Sequence, residues 1–185
     1  MKVELVDYTS LPLSLHEHIH YQFNLSGITR ALLQELVRHD FSLSVESTRY
    51  TLNKKLRTEQ PFLDASSLTD SMNELALHTP DALIRASKYI KLVGVDPVDV
   101  VSLQMLDNIR ELVHMNSISA DYIKYALGES WLVNLTMTIR YPMLLNMIQL
   151  RTSKDALWEF QELANSMLQV IPDEHKSLFQ IKQLC

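Results

Sequence analysis

Two stretches far apart in this chain alternate apolar and polar residues, and they fix the fold class before anything else does. In residues 16–25, Ile19, Tyr21, Phe23 and Leu25 point one way while His18, His20, Gln22 and Asn24 point the other. In residues 131–139, Trp131, Val133, Leu135, Met137 and Ile139 share one side; Asn134, Thr136, Thr138 and the following Arg140 share the opposite one. A period of two marks a strand with one buried face and one polar face. Lys2 to Tyr8 can form another, with Pro12 in the turn that follows. The remainder reads mainly as helix. The expected fold is therefore α+β, a small mixed or antiparallel sheet packed with several helices. At 185 residues and 21.4 kDa, with no repeat and no linker long enough to divide it, residues 1–185 suit one domain.

The element boundaries follow from local chemistry. Ser26-Gly27 is expected to break the second strand. From Ile28 the positions Ile28, Ala31, Leu32, Leu36 and Val37 recur at helical spacing, placing Arg38 and His39 at a helix C-terminal end. Residues 53–66 are polar and contain Pro61, as a surface loop would. Ser67 to Val93 reads as helical segments broken near Thr79-Pro80. Asp96 is a candidate N-cap with Pro97 at the first helical position, and the stripe Val100, Leu103, Leu106, Ile109 and Leu112 or Val113 faces the core. Ser119 to Leu127 reads as a short helix ended by Gly128. Two more helices follow at about 142–151 and 154–171, the latter burying Leu157, Phe160, Ala164, Met167 and Ile171. The methionines, Trp131 and Trp158 sit at packing positions.

Composition removes several function classes. The net charge is −5 and the pI near 5.8, so no general basic surface for nucleic acid is present. Three glycines, none in a phosphate-binding pattern, exclude Rossmann and P-loop readings. The one cysteine, Cys185, is the last residue, which rules out an internal disulfide and argues against a buried thiol nucleophile. With no long apolar run or signal-like start, the expected compartment is the cytoplasm, with no membrane partner, and Asn24-Leu-Ser26 and Asn134-Leu-Thr136 read as chance matches to a glycosylation pattern.

What remains is anion chemistry. Arg38-His39 and Ser42-x-Ser44-x-x-Ser47-x-Arg49-Tyr50 set two guanidiniums, an imidazole and three serine hydroxyls within thirteen residues. A helix dipole alone accounts for Arg38, and a solvated loop is the plainer reading of the cluster. Forked guanidinium donors beside hydroxyls are what a phosphate requires. His16, His18 and His20 would share one face of a strand and could approach a common ion, but such a face is more often hydrogen-bonded or at an interface; no metal is expected.

Several ordered blocks then resemble the flavin-dependent thymidylate synthases: Glu17-His18 before a strand; Ile28-Thr29-Arg30-Ala31-Leu32-Leu33-Gln34-Glu35-Leu36-Val37-Arg38-His39; Ser42 to Thr51; Lys124-Tyr125-Ala126-Leu127-Gly128-Glu129-Ser130; and Leu150-Arg151 followed by Ala156-Leu157-Trp158-Glu159. The resemblance implies a homotetramer that binds FAD and deoxyuridine monophosphate (dUMP) where subunits meet. It implies transfer of a methylene group from methylenetetrahydrofolate to C5 of the uracil, with flavin as hydride carrier, NADPH as reductant and no cysteine nucleophile. Residue by residue, Ser47, Thr48, Arg49 and Lys124 match the nucleotide-phosphate pocket. Arg38 matches an arginine that touches both nucleotide and flavin, while His39, Ser42 and Asn146 fall on the flavin side. Arg151 matches the catalytic arginine set against the pyrimidine, where it would stabilise negative charge developing on the ring; a helix C-terminal cation is its plainer reading.

The blocks also depart from the family. Its Arg-His-Arg-x-x-Ser signature is here Arg38-His39-Asp40-Phe41-Ser42, one residue shorter, with a carboxylate that would repel a pyrophosphate. A segment with a flavin-contacting histidine looks deleted near Pro12, and Asn-Ala-Arg-Ser is replaced by Arg140-Tyr141-Pro142-Met143. These losses concentrate on the flavin side, so FAD affinity is expected to suffer. Two functions follow: a compact thymidylate synthase of a bacterial cell, whose reduced length points to a phage-encoded copy, or a degenerate relative that keeps nucleotide binding or assembly without flavin.

Overall fold

The computed structural model describes residues 1–63 and 79–179, with the side chains of 53–55 left aside. Its strands are β1 (Lys2–Tyr8), β2 (His20–Thr29), β3 (Ser42–Val45) and β4 (Leu132–Arg140). Its helices are α1 (Arg30–Leu36), α2 (Thr48–Lys55), α3 (Pro80–Ala86), α4 (Asp96–His114), α5 (Ala120–Ile123), α6 (Tyr141–Arg151) and α7 (Trp158–Val170). Two compact units result, one of residues 1–46 with 133–185 and one of residues 47–132.

The first unit is built on a sheet of order β1-β2-β4-β3. β1 runs antiparallel to β2, with Leu5 opposite Phe23, and β3 antiparallel to β4, with Ser44 opposite Thr136. The alternation read from sequence holds: Tyr21, Phe23 and Leu25 on β2 and Val133, Leu135, Met137 and Ile139 on β4 are buried. Leu32 and Leu36 of α1, Leu144, Met147 and Ile148 of α6, and Phe160, Leu163, Ala164 and Met167 of α7 complete the core. Each such aliphatic or aromatic side chain taken out of water contributes about 1.5–3 kcal/mol.

Three expectations for this unit need correction. Ser26-Gly27 does not end β2. Gly27 has φ +68, its N–H bonds the Asn134 side-chain oxygen at 3.0 Å, and burial resumes at Ile28. The inward positions thus shift from 21, 23 and 25 to 28, a change of phase that a left-handed glycine permits without breaking the strand. The helix accordingly starts at Arg30 rather than Ile28, capped by Thr29, whose hydroxyl accepts the Leu32 N–H at 3.0 Å. The second correction concerns His16 and His18, which lie in a short 3-10 helix, Leu13–His18, so only His20 stands on the strand. The third is that α7 begins at Trp158, leaving Leu157 half-buried and Trp158 exposed, not packed in the core.

The second unit is helical. Along α4, Val100, Leu103, Leu106, Ile109 and Val113 are buried as the spacing predicts. Asp96 is the first helical residue rather than the cap, which falls at Val95. The capping carboxylate is Asp99, which accepts N–H bonds from Val93 (2.7 Å) and Gly94 (2.8 Å) because Gly94, at φ +77, turns the chain back over the helix start. Residues 53–63 are not the loop their polarity suggests. α2 runs to Lys55, a 3-10 turn covers Leu56–Thr58, and Leu56 and Phe62 are buried. Arg85 organises that segment. Its guanidinium donates to the Gln60 and Pro61 carbonyls, pairs with Glu59 and lies 5.0 Å from the Phe62 ring centroid. Residues 64–66 and the segment from Ser67 to His78 lie outside the described residues. α3 opens at Pro80 behind the cap Thr79. The short helix after Ser119 ends at Ile123, followed by a 3-10 turn, and Gly128 has a different use: a Cβ there would stand 2.6 Å from the Met105 sulfur. Among the described residues, no helix is long and apolar enough to cross a membrane.

Candidate active site

The first unit brings three of the expected residues together. α1 stops at Leu36 with Val37 as C-cap, so Arg38 and His39 leave directly from its end, and α6 finishes on Arg151. Arg151 donates from Nε to His39 Nε2 at 3.2 Å, pairs through Nη1 with Glu35 Oε2 at 3.1 Å, and lies 4.7 Å from the Phe160 ring centroid. Glu35 also binds Arg38 Nη1 at 3.2 Å. Phe160, fully buried, meets the His39 ring edge-on at 5.6 Å. The Arg151 side chain is only 18% exposed, against 68% for Arg38. Arg151 is therefore held on three sides, whereas Arg38 reaches into solvent.

His39 is shaped by these neighbours. Burial, then the positive charges of Arg151 and Arg38, hold its pKa below the ordinary 6.5, with Glu35 opposing them weakly. Accepting the Arg151 N–H fixes Nε2 as the bare nitrogen, so the proton sits on Nδ1 as a donor. Ser42 on β3 and Asn146 on α6 are both exposed.

The start of α1 is fixed from below. Glu159 on α7 is buried; its carboxylate accepts the Thr29 N–H at 3.0 Å and the Thr29 hydroxyl at 2.5 Å. Thr29 in turn caps α1. This relay sets where Glu35, Arg38 and His39 emerge six to ten residues from the cap.

The second unit holds the other set. Ser47 is the N-cap residue of α2 but makes no side-chain capping bond; Thr48 opens the helix and is half-buried. Arg49 pairs with Asp121 at 2.8 Å. Both line an open hollow of about 510 Å³ together with Ser47, Tyr50, Arg57 and Ser119. Lys124 lies on the 3-10 turn after α5, its Nζ 5.6 Å from the Tyr125 ring centroid.

Sequence reasoning missed Glu35, Arg57 and Asp121 as members of these groups. Glu35 had a detectable signal, since it stands three residues before Arg38, where helical side chains meet. Nothing local announced its bond to Arg151 or that of Asp121 to Arg49, because those partners come together only through tertiary folding.

The family described as "Thymidylate synthase complementing protein" matches residues 7–175. A flavin-dependent thymidylate synthase of Campylobacter jejuni (strain RM1221) is 44% identical over 165 residues, covering 89% of this chain and 71% of the relative. That of Wolinella succinogenes is 39% identical over 168 residues, covering 90% and 74%. A crystal structure of thymidylate synthase X from Helicobacter pylori with FAD and dUMP superposes with a TM-score of 0.78 at 36% identity, covering 91% of this chain and 74% of that one. The chain belongs to the flavin-dependent thymidylate synthase family.

Proposed function

We propose that this protein carries out the reductive methylation of dUMP to deoxythymidine monophosphate (dTMP), with FAD as cofactor and NADPH and methylenetetrahydrofolate as co-substrates. The observation that carries the reading is the fixed guanidinium of Arg151. A cation already locked by Glu35, His39 and Phe160 needs no reorganisation when negative charge develops on a pyrimidine ring, which is the condition for electrostatic catalysis. Ser47, Thr48, Arg49 and Lys124 hold the nucleotide phosphate in this reading, while Arg38 serves both ligands.

The donor set of the first unit suits an anionic cofactor. Arg38 offers a largely exposed guanidinium, His39 a proton on Nδ1, and Ser42 and Asn146 an exposed hydroxyl and amide. Asp40, also exposed, and Glu35, which pairs with Arg38 at 3.2 Å, are carboxylates close to these donors and weaken that fit without removing it. Bound FAD would supply hydride chemistry. The remaining work falls to the chain itself: Arg151 stabilises charge on the ring, and the phosphate-binding residues orient the nucleotide. Assembly into a homotetramer, which the family resemblance implies, and residence in the bacterial cytoplasm, in line with the bacterial sources of the relatives, complete the proposal.

Calorimetry tests the nucleotide half. Wild-type protein should release heat on titration with dUMP, and Arg49→Ala should weaken binding by about tenfold or more through loss of charge-assisted hydrogen bonds. A wild-type protein with no affinity for dUMP would end the proposal.

A further inference from the structure

The hollow of the second unit contains more charge than the family resemblance assigns to it. Arg49 and Arg57 both line it, and Asp121 is the carboxylate that faces them. Asp121 is engaged with Arg49 at 2.8 Å, yet both side chains are more than half exposed, 58% and 56%. Among the described residues, Arg57 has no ion pair. Among the described residues that line the hollow, two guanidiniums thus stand against one carboxylate.

The backbone of Asp121 is held at the start of α5, and its carboxylate is held by the exposed pair with Arg49. Its N–H donates to the Ser119 hydroxyl at 3.2 Å at the first turn of α5, and its carboxylate extends into the hollow. An exposed ion pair of this kind is held by a small free energy and exchanges readily for a stronger anion. A phosphate monoester near neutral pH carries between one and two negative charges and three acceptor oxygens, enough to engage two guanidiniums at once.

We propose that Arg57 is a second phosphate-binding residue of this hollow and that Asp121 is a resident counter-ion, which the ligand's phosphate displaces from Arg49. The inference rests on the reading of Ser47 and Arg49 as the nucleotide-phosphate site and adds to it a second cation and a competing anion. Arg49 and Arg57 then clamp the phosphate from two sides. Asp121 lowers affinity for anions that cannot replace its contact, so the hollow favours a dianionic phosphate over a singly charged group. Because the displaced carboxylate stays close to the bound dianion, removing its charge tightens binding.

The test is calorimetry on the full-length protein with three probes: dUMP, deoxyuridine and inorganic phosphate. Arg57→Ala should weaken dUMP binding by about tenfold, with Arg57→Lys recovering part of the loss. Asp121→Asn should tighten it by about two- to fivefold, the range set by an exposed ion pair. Deoxyuridine, which lacks the phosphate, should bind all variants alike, and circular dichroism should show that each is folded. Wild-type affinity for dUMP in both Arg57→Ala and Asp121→Asn would overturn the inference while leaving the nucleotide reading intact. Phosphate binding that depends on Arg57 in a protein with no affinity for dUMP would support the two-arginine hollow and refute the nucleotide reading. A wild-type protein that binds neither would refute both.

Discussion

Arg151→Ala should lower turnover by about two to three orders of magnitude, the loss seen when one fixed donor is taken from a charge-stabilising site. The reason lies in how the side chain is held. Its Nε and Nη1 are committed to His39 and Glu35, and its face rests on Phe160, so one planar group meets three neighbours at once. Arg151→Lys should therefore fail to restore activity, since an ammonium offers a point charge without the fork. The same substitution has a second readout. Removing the guanidinium takes away a positive charge beside His39 and opens it to water, so its pKa should rise towards the ordinary 6.5 in an NMR titration. In the wild type the sign is fixed by that depressed value. As pH falls below 6.5 the unfolded chain takes up the proton first, so the stability His39 contributes above that pH is lost as pH drops through its native pKa. Arg151→Ala should flatten this dependence. Unchanged turnover together with an unmoved His39 titration would refute the role assigned to Arg151.

The largest stability effect is expected at Glu159, which no ligand is proposed to touch. Its buried carboxylate accepts both the backbone N–H and the hydroxyl of Thr29, and Thr29 caps α1. Glu159→Ala leaves two buried donors without acceptors, at a cost of about 1–3 kcal/mol for each group left unsatisfied. The expected total is about 2–4 kcal/mol of unfolding free energy, read as a lower urea midpoint. Glu159→Gln should cost less, because its carbonyl oxygen still accepts one of the two bonds while its amide faces a donor. Turnover should fall at temperatures where the variant is still folded, since the cap sets where Arg38 and His39 leave α1. A change below about 0.5 kcal/mol, the range of ordinary surface substitutions, would contradict the relay.

How much of this was legible in the sequence depends on the range of the interaction. Period-two patterns located β2 and β4 because each strand buries one face, and the α4 stripe was readable for the same reason at helical spacing. Gly27 misled because a glycine in a strand pattern signals either a stop or a change of phase, and the choice was made by Asn134 on a strand distant in sequence. The region before residue 64 misled because its polar residues fold over two apolar anchors, Leu56 and Phe62, under Arg85. In the site, Arg38, His39 and Arg151 were found as residues, but the carboxylate that ties the two arginines together was not identified as their partner. Its bond to Arg151 spans 116 positions and exists only once α1 and α6 are in place.

The most direct test of the central claim is the visible spectrum of purified protein supplied with FAD. The predicted result is a yellow protein that NADPH bleaches, regains its colour with dUMP and methylenetetrahydrofolate, and yields dTMP. Protein that stays colourless at saturating FAD and forms no dTMP would contradict the account.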